Sequence, residues 1–198
     1  VLFRSKSTQL RLLADALTAR GLEVQCTREP GGSVGGEAIR KLLLEGSDDR
    51  WSPRVEALLF AAARGDHVEK LIRPALARGA WVLSDRYIDS SRAYQGENGV
   101  LSDADVMTLH ALGSEGMLPS RTLFLDLGEE QAAARARHRD GGASDRIGGR
   151  DAAFHARVAL AFRRIAADEP DRVRRIDADG SPDTVHARIM AAIADMLP

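Results

Sequence analysis

The alternation of short apolar runs with longer helical patterns is the feature that most limits how this chain can fold. Four apolar runs bounded by turn residues predict strands, at 22–27, 81–84, 121–127 and 173–177. Between them lie segments whose apolar residues recur every three or four positions, as on one face of a helix. Strands that alternate with helices favour an α/β domain built on a parallel sheet.

Composition narrows the class of protein further. The chain has 198 residues, of which 44% are hydrophobic and 29% charged, and this fits one globular domain spanning 1–198. A net charge of -1 provides no basic field for non-specific nucleic-acid binding, so we expect small-molecule partners. Cys26 is the only cysteine, and no apolar run approaches the roughly 20 residues that cross a bilayer. We therefore predict a cytoplasmic protein with neither a membrane nor a nucleic-acid partner.

Several local signals predict where helices begin and bend. Ser52 before Pro53 is typical of a helix N-terminus, and Ser102 followed by Asp105 resembles a capping box. Pro74 should kink the helix predicted for 67–78 or mark its late portion, because proline lacks the backbone N–H that the helix needs.

Polar residues crowd after the second predicted strand, from Ser84 to Gly96. In an open parallel sheet, ligands bind beyond the carboxyl ends of the strands. Asp85 and Arg86 are therefore placed to meet a substrate. An ordinary loop with a structural Asp–Arg pair would give the same local sequence, and both interpretations stay open at this point.

The helix predicted from Lys6 onward begins with part of a phosphate-binding pattern. Lys6-Ser7-Thr8 matches the end of G-x-x-x-x-G-K-[S/T], in which backbone N–H groups and a helix N-terminus hold phosphates. The pattern is incomplete, because Ser5 stands where a glycine is needed and the first glycine would fall before residue 1.

Two other segments allow more than one interpretation. Phe60 and Arg64 lie four residues apart and share a helix face, a spacing that by itself favours a core phenylalanine and a solvated arginine. The glycine- and arginine-rich segment at 138–150 is either a solvated charged loop or a mobile segment that closes over anions.

Three segments, in order along the chain, resemble the signatures of the bacterial thymidylate kinases, which transfer the γ-phosphate of ATP to dTMP. They are Lys6-Ser7-Thr8-Gln9, Thr27-Arg28-Glu29-Pro30-Gly31-Gly32, and Asp85-Arg86-Tyr87 followed by Ser90-Ser91-Arg92-Ala93-Tyr94-Gln95-Gly96. The resemblance implies a P-loop nucleoside-monophosphate-kinase fold of three layers, dTMP and ATP as substrates, Mg²⁺ as cofactor and a homodimer. Two alternatives are another nucleoside monophosphate or deoxynucleoside kinase of this fold, and a non-catalytic nucleotide-binding protein.

The resemblance also implies roles on the acceptor side. Phe60 would stack on thymine, and Arg64 would donate a hydrogen bond to its carbonyl. Arg86 would hold the phosphate of dTMP, because a guanidinium fork matches phosphate geometry. The nucleotide pocket would be lined by Ser91, by Tyr94, which would exclude a ribose 2′-hydroxyl, and by Gln95, near the base. Arg28 and Glu29 would lie beside the phosphates.

On the donor side the resemblance assigns Lys6, Ser7 and Thr8 to ATP, with Lys6 also catalytic. Ser7, Glu29 and Asp85 would hold the metal. The segment at 138–150 would be the lid, and it would supply the arginine that stabilises the transferring phosphoryl group. The candidates for that arginine are Arg139 and Arg146.

The chain departs from the family pattern before Lys6, where the family has a strand and a glycine loop. The resemblance therefore implies a truncated reading frame that lacks the first, central strand and most of the P-loop, with residues 1–5 non-native. On that hypothesis, the chain as written has little or no kinase activity, whereas its full-length parent is active.

Overall fold

Four parallel strands occupy the positions that the sequence predicts. The computed structural model describes residues 3–47, 49–96, 100–128 and 146–198. Within these ranges the strands are β1 (Val24–Arg28), β2 (Trp81–Asp85), β3 (Thr122–Asp126) and β4 (Val173–Asp177). β1 pairs with β2 and β3 pairs with β4, each in parallel. The predicted α/β domain with parallel strands is confirmed.

Helices connect and cover these strands. In the described part of the chain the α-helices are α1 (Phe3–Thr18), α2 (Val34–Leu44), α3 (Pro53–His67), α4 (Arg73–Ala77), α5 (Ile88–Gln95), α6 (Asp103–Ser114), α7 (Ala152–Asp168) and α8 (Pro182–Ala192). A π-helical turn, Val68–Ile72, joins α3 to α4, and a 3₁₀ turn, Ala194–Met196, follows α8.

The predicted helix starts have the expected capping geometry. The Ser52 hydroxyl accepts a hydrogen bond from the backbone N–H of Val55 at 3.5 Å, and Pro53 begins α3. Ser102 and Asp105 form the reciprocal capping box at the start of α6. Each cap gives orphan N–H groups a partner, a contribution of about 1 kcal/mol.

Pro74 interrupts the helical segment as predicted, although by a change of hydrogen-bond register. The turn Val68–Ile72 is π-helical, and the N–H of Arg73 donates to the carbonyl of Val68, five residues back. The helix resumes as α4 with Pro74 in its first turn, where the missing N–H is tolerated.

The two strand pairs are separate two-stranded sheets within the described residues. Leu83 of β2 and Leu123 of β3 nevertheless pack against one apolar cluster, which Leu17 of α1 and Ile189 of α8 help to form. Side-chain packing, rather than ladder hydrogen bonds, therefore joins the two pairs. Since all four strands are parallel within their pairs, the carboxyl ends of paired strands lie at one edge.

Helix α5 follows β2 directly and is anchored by a network of charges. Arg172 donates to both carboxylate oxygens of Asp89, at 2.7 and 2.8 Å, and to Glu169 at 2.8 Å. Arg92 joins the same two acids and also Asp103 of α6. Because Asp89 is 3% exposed, these contacts fix α5 relative to α6 and to the start of β4.

Candidate active site

Asp85 and Arg86 lie at the carboxyl end of β2, next to the side chain of Lys6 from α1. The Nζ of Lys6 is 3.3 Å from Oδ1 of Asp85, and both side chains are less than one-fifth exposed. The loop interpretation of 84–96 is wrong, because residues 88–95 form α5 and the described ionic partner of Asp85 is Lys6. The sheet edge thus brings together the three groups that the sequence singled out there.

The ammonium group of Lys6 is in an unfavourable position for a charge. Burial lowers its pKa from 10.5 to about 8, and the nearby guanidinium of Arg86 acts in the same direction. The carboxylate of Asp85 partly offsets both effects. An anion such as a phosphate would relieve the repulsion between the two cations.

Arg86 has a backbone conformation that is rare for a residue with a side chain. Its φ is +73°, in the left-handed region. The guanidinium carbon lies 4.9 Å from the centroid of the Tyr94 ring, and Nη2 donates to the Tyr94 hydroxyl at 3.4 Å. The turn therefore directs the arginine back over α5 rather than outward.

A buried ion pair lies beside this turn. The Nε of Arg64 donates to Oε1 of Glu29 at 2.8 Å, and the Nη2 of Arg64 donates to the hydroxyl of Ser91. Arg64 is 1% exposed, so the solvated interpretation of this arginine is wrong. Burial raises the pKa of Glu29, and the charge of Arg64 opposes that rise. Oε2 of Glu29 has no hydrogen-bond partner among the described residues.

The other sequence-predicted residues lie around this pair. Phe60 of α3 is half-buried and packs against the cluster that contains Tyr94 and Phe154. Arg28, at the end of β1, bonds to both carboxylate oxygens of Glu37 at 3.0 and 3.1 Å and is exposed. Ser7 is exposed and Thr8 half-buried in the first turns of α1. Arg139 lies outside the described residues.

Glu56 is a polar residue of this region that sequence reasoning missed. It is 1% exposed, and its Oε2 accepts hydrogen bonds from Arg146 at 2.5 Å and Arg150 at 2.6 Å. Its Oε1 accepts from Nε2 of Gln95 at 3.1 Å. An acid in the first turn of a helix is ordinarily a solvated residue favoured by the helix dipole. The available signal was its spacing, since Glu56 precedes Phe60 and Arg64 by four and eight residues.

The side chain of Arg146 is fully buried. Besides Glu56, its Nε donates to the carbonyl of Leu43 at 2.9 Å, and the side chain is 0% exposed. Residues 138–145 of the predicted lid lie outside the described residues, whereas 146–150 lie within them.

The carboxylates of this region can be compared with the ligand sets that metal ions require. The described residues contain no group of three or more His, Cys, Asp or Glu side chains that could hold an ion. Magnesium, however, binds through one or two carboxylates together with water and substrate phosphates. Asp85, part-exposed at the sheet edge, fits that requirement, whereas Oε1 of Glu29 is already bonded to Arg64.

Comparison with known proteins shows the family of the chain. A model of the thymidylate kinase family matches residues 5–189. A thymidylate kinase of Rhizorhabdus wittichii is 60% identical over 193 residues, which cover 98% of this chain and 93% of that protein. The chain belongs to the thymidylate kinase family. A second thymidylate kinase, from Caulobacter vibrioides, is 50% identical over 194 residues, covering 97% of this chain and 91% of that protein.

A solved structure supports the fold. The crystal structure of thymidylate kinase from Ehrlichia chaffeensis has a TM-score of 0.77 and 27% sequence identity, and the match covers 98% of this chain and 94% of that one. The P-loop kinase fold and the assignment of the chain to this class of phosphotransferase are confirmed. In the described part of the chain, no helix has the length and hydrophobicity that a membrane span requires.

Proposed function

We propose that the chain transfers the γ-phosphoryl group of ATP to the phosphate of dTMP, forming dTDP and ADP. The observation that carries this proposal is the convergence of Lys6, Asp85 and Arg86 at the carboxyl end of β2. Phosphoryl transfer needs positioning and charge neutralisation more than covalent chemistry. Two cations and a carboxylate at one sheet edge can supply both.

On the acceptor side, Arg86 binds the phosphate of dTMP. Its guanidinium is preplaced by the Tyr94 ring, so little side-chain freedom is lost on binding. We assign to the same ring the exclusion of a 2′-hydroxyl from the sugar of the acceptor nucleotide. Arg28 contributes a second cation near the phosphates after exchanging its contact with Glu37.

The base site lies between α3 and α5. Phe60 offers a ring face for thymine, and Arg64, one turn along α3, donates to the base carbonyl. Glu29 and Ser91 hold Arg64 in place, so this donor is ordered before the base arrives.

On the donor side, Lys6 neutralises the phosphates of ATP, and Ser7 and Thr8 lie in the same helical turns. A phosphate beside Lys6 would raise its lowered pKa and hold the ammonium protonated. Asp85 and Ser7 would hold Mg²⁺, with Glu29 reached through water. The ion supplies charge neutralisation between the two nucleotides when bound.

The arginine of the transfer step is Arg139 or Arg146. In the described state Arg146 is bonded to Glu56 and Leu43, so it reaches a phosphate only after leaving them. Arg150 can then pair with Glu56 alone, because it already bonds the same carboxylate oxygen.

We also infer a homodimer. Leu58 of α3 is 53% exposed and Leu112 of α6 is 80% exposed, and these two helices pack against each other. Sedimentation velocity at micromolar concentration tests the dimer, and a monomer at that concentration would contradict it.

The test of the function separates acceptor binding from turnover. Calorimetry with dTMP and an ADP-release assay with ATP and Mg²⁺ are run over a panel of nucleoside monophosphates. We expect dTMP to bind and react best, and Arg86→Lys to lower kcat/KM by about a hundredfold. Normal turnover by the chain as written would refute the hypothesis that it has little or no kinase activity. Arg11→Lys, which alters an exposed i,i+4 pair with Asp15, is the matched control. Preference for another base, or an unchanged Arg86→Lys variant, would overturn the proposal.

A further inference from the structure

Glu56, Phe60 and Arg64 form one stripe along α3. Residues four apart on a helix lie on the same face, separated by about 6 Å along the axis. Glu56 and Arg64 are 1% exposed, and Phe60 lies between them in the sequence. The ring proposed to stack on the base is therefore flanked on its own helix by a buried carboxylate and a buried guanidinium.

Both ends of this stripe are tied to α5. Arg64 donates to Ser91, and Glu56 accepts from Gln95 at 3.1 Å. Ser91 and Gln95 are also four apart and share a face of α5. A base stacked on Phe60 thus lies between two inter-helix contacts, one at each end.

The contact with Glu56 decides which way the Gln95 amide points. Oε2 of Glu56 receives hydrogen bonds from two guanidinium groups, of Arg146 and Arg150, so the carboxylate is paired as an anion. An anionic carboxylate only accepts hydrogen bonds, so the NH₂ group of Gln95 must face it. The Gln95 carbonyl is then directed to the other side.

That carbonyl oxygen has no hydrogen-bond partner among the described residues, although Gln95 is 1% exposed. A buried acceptor without a partner is uncommon and needs a reason. A donor brought by a ligand would provide one.

We propose that Glu56 is a positioning residue for base recognition, which orients the Gln95 amide so that its carbonyl accepts a hydrogen bond from the ring N3–H of thymine or uracil. This inference rests on the proposed function, since it places the base on Phe60. Cytosine carries an unprotonated acceptor at N3, which would face the Gln95 carbonyl. Glu56 therefore favours dTMP over dCMP without touching either.

Glu56→Gln should turn the Gln95 amide around. The two arginines hold the carbonyl of the new side chain, so its NH₂ group faces Gln95, whose own carbonyl turns to accept from it. Gln95 then presents a donor to the base. We expect the ratio of dissociation constants for dCMP and dTMP, measured by calorimetry, to fall by about ten- to a hundredfold.

The exchanged pair Glu56→Gln with Gln95→Glu should restore the preference. The amide at 56 donates to one oxygen of the carboxylate at 95, and the other oxygen is again an acceptor for N3–H. A merely structural role of Glu56 would not produce this rescue. Glu115→Gln, which alters an exposed pair with Arg73, is the control that should leave the ratio unchanged.

Each outcome bears on the inference. An unchanged ratio in Glu56→Gln, or no restoration in the exchanged pair, would overturn it. If circular dichroism shows that Glu56→Gln is unfolded, Gln95→Met is tested instead, because it keeps Glu56 and both arginines. A wild-type ratio of the dCMP and dTMP dissociation constants in that variant would refute the inference. Wild-type protein that binds neither nucleotide would refute the proposed function instead.

Discussion

Arg64→Met should destabilise the fold by about 3–5 kcal/mol at neutral pH, because it leaves the carboxylate of Glu29 buried without its partner. Glu29 and Arg64 are 4% and 1% exposed, and the ion pair is 2.7 Å long. A loss of that size is a large part of the roughly 5–15 kcal/mol that stabilises a typical domain. Ser91 loses a donor in the same variant.

The loss should depend on pH with a defined sign. Burial already raises the pKa of Glu29, and Arg64 opposes the rise, so its removal raises the pKa further. An acid whose pKa is higher in the folded state takes up its proton there first as the pH falls. The cost is therefore largest above the folded pKa and shrinks as the pH falls through it toward the ordinary value of 4.5.

Urea denaturation measures both the loss of stability and its pH dependence. The proteins compared, at about pH 7 and about pH 5.5, are the wild type, Arg64→Met, Glu29→Gln and the double variant. We expect the double variant to be more stable than Arg64→Met, with a coupling free energy of about 2 kcal/mol. Equal losses for Arg64→Met at both pH values, together with additive effects in the double variant, would refute the reasoning.

Three further outcomes follow from other contacts. The fall of the Lys6 pKa from 10.5 to about 8 on folding costs about 3 kcal/mol of stability at neutral pH. Lys6→Met should therefore stabilise the fold by up to that amount, and the gain should disappear as the pH rises from 8 to 10.5. Urea denaturation midpoints across that pH range measure the gain. Arg172→Met removes both short contacts to buried Asp89 and should lower the free energy of unfolding by about 3 kcal/mol. Thermal denaturation measures this, and unchanged stability would contradict the role given to the charge network. Gly65→Ala places a Cβ against the carbonyl of Gly113 on α6, and scanning calorimetry should show a loss of about 1–3 kcal/mol.

The strands and most helices could be predicted because their signals are local. Short apolar runs between turn residues located all four strands, and Ser52 and Ser102 located two helix starts. Helix α5 could not be predicted as a helix, because its residues are mostly polar and lack an apolar period. Contacts with Arg172, far along the chain, and with Asp103 of α6 hold it instead.

The sequence predicted which residues belong to the candidate site better than it predicted which residues they contact. Two of the three signatures contain Lys6, Asp85 and Arg86, which the fold brings together at the end of β2. The solvated interpretation of Arg64 was wrong because its partner, Glu29, lies 35 residues earlier, and no helical spacing reveals such a pair. The role of Glu56 could not be predicted for the same reason, since its partners come from α5 and from residues 146–150 of the predicted lid.

At position 86 the left-handed backbone favours glycine, whereas the proposed function needs an arginine side chain. At φ +73° the main chain would be most relaxed with glycine, and Arg86→Gly should recover roughly 1 kcal/mol of strain. The proposed contact with the phosphate of dTMP needs the guanidinium that glycine lacks. A search for more stable variants that scored folding alone would therefore choose glycine here and lose the proposed phosphate contact, so selection for stability and selection for turnover favour different residues at this position.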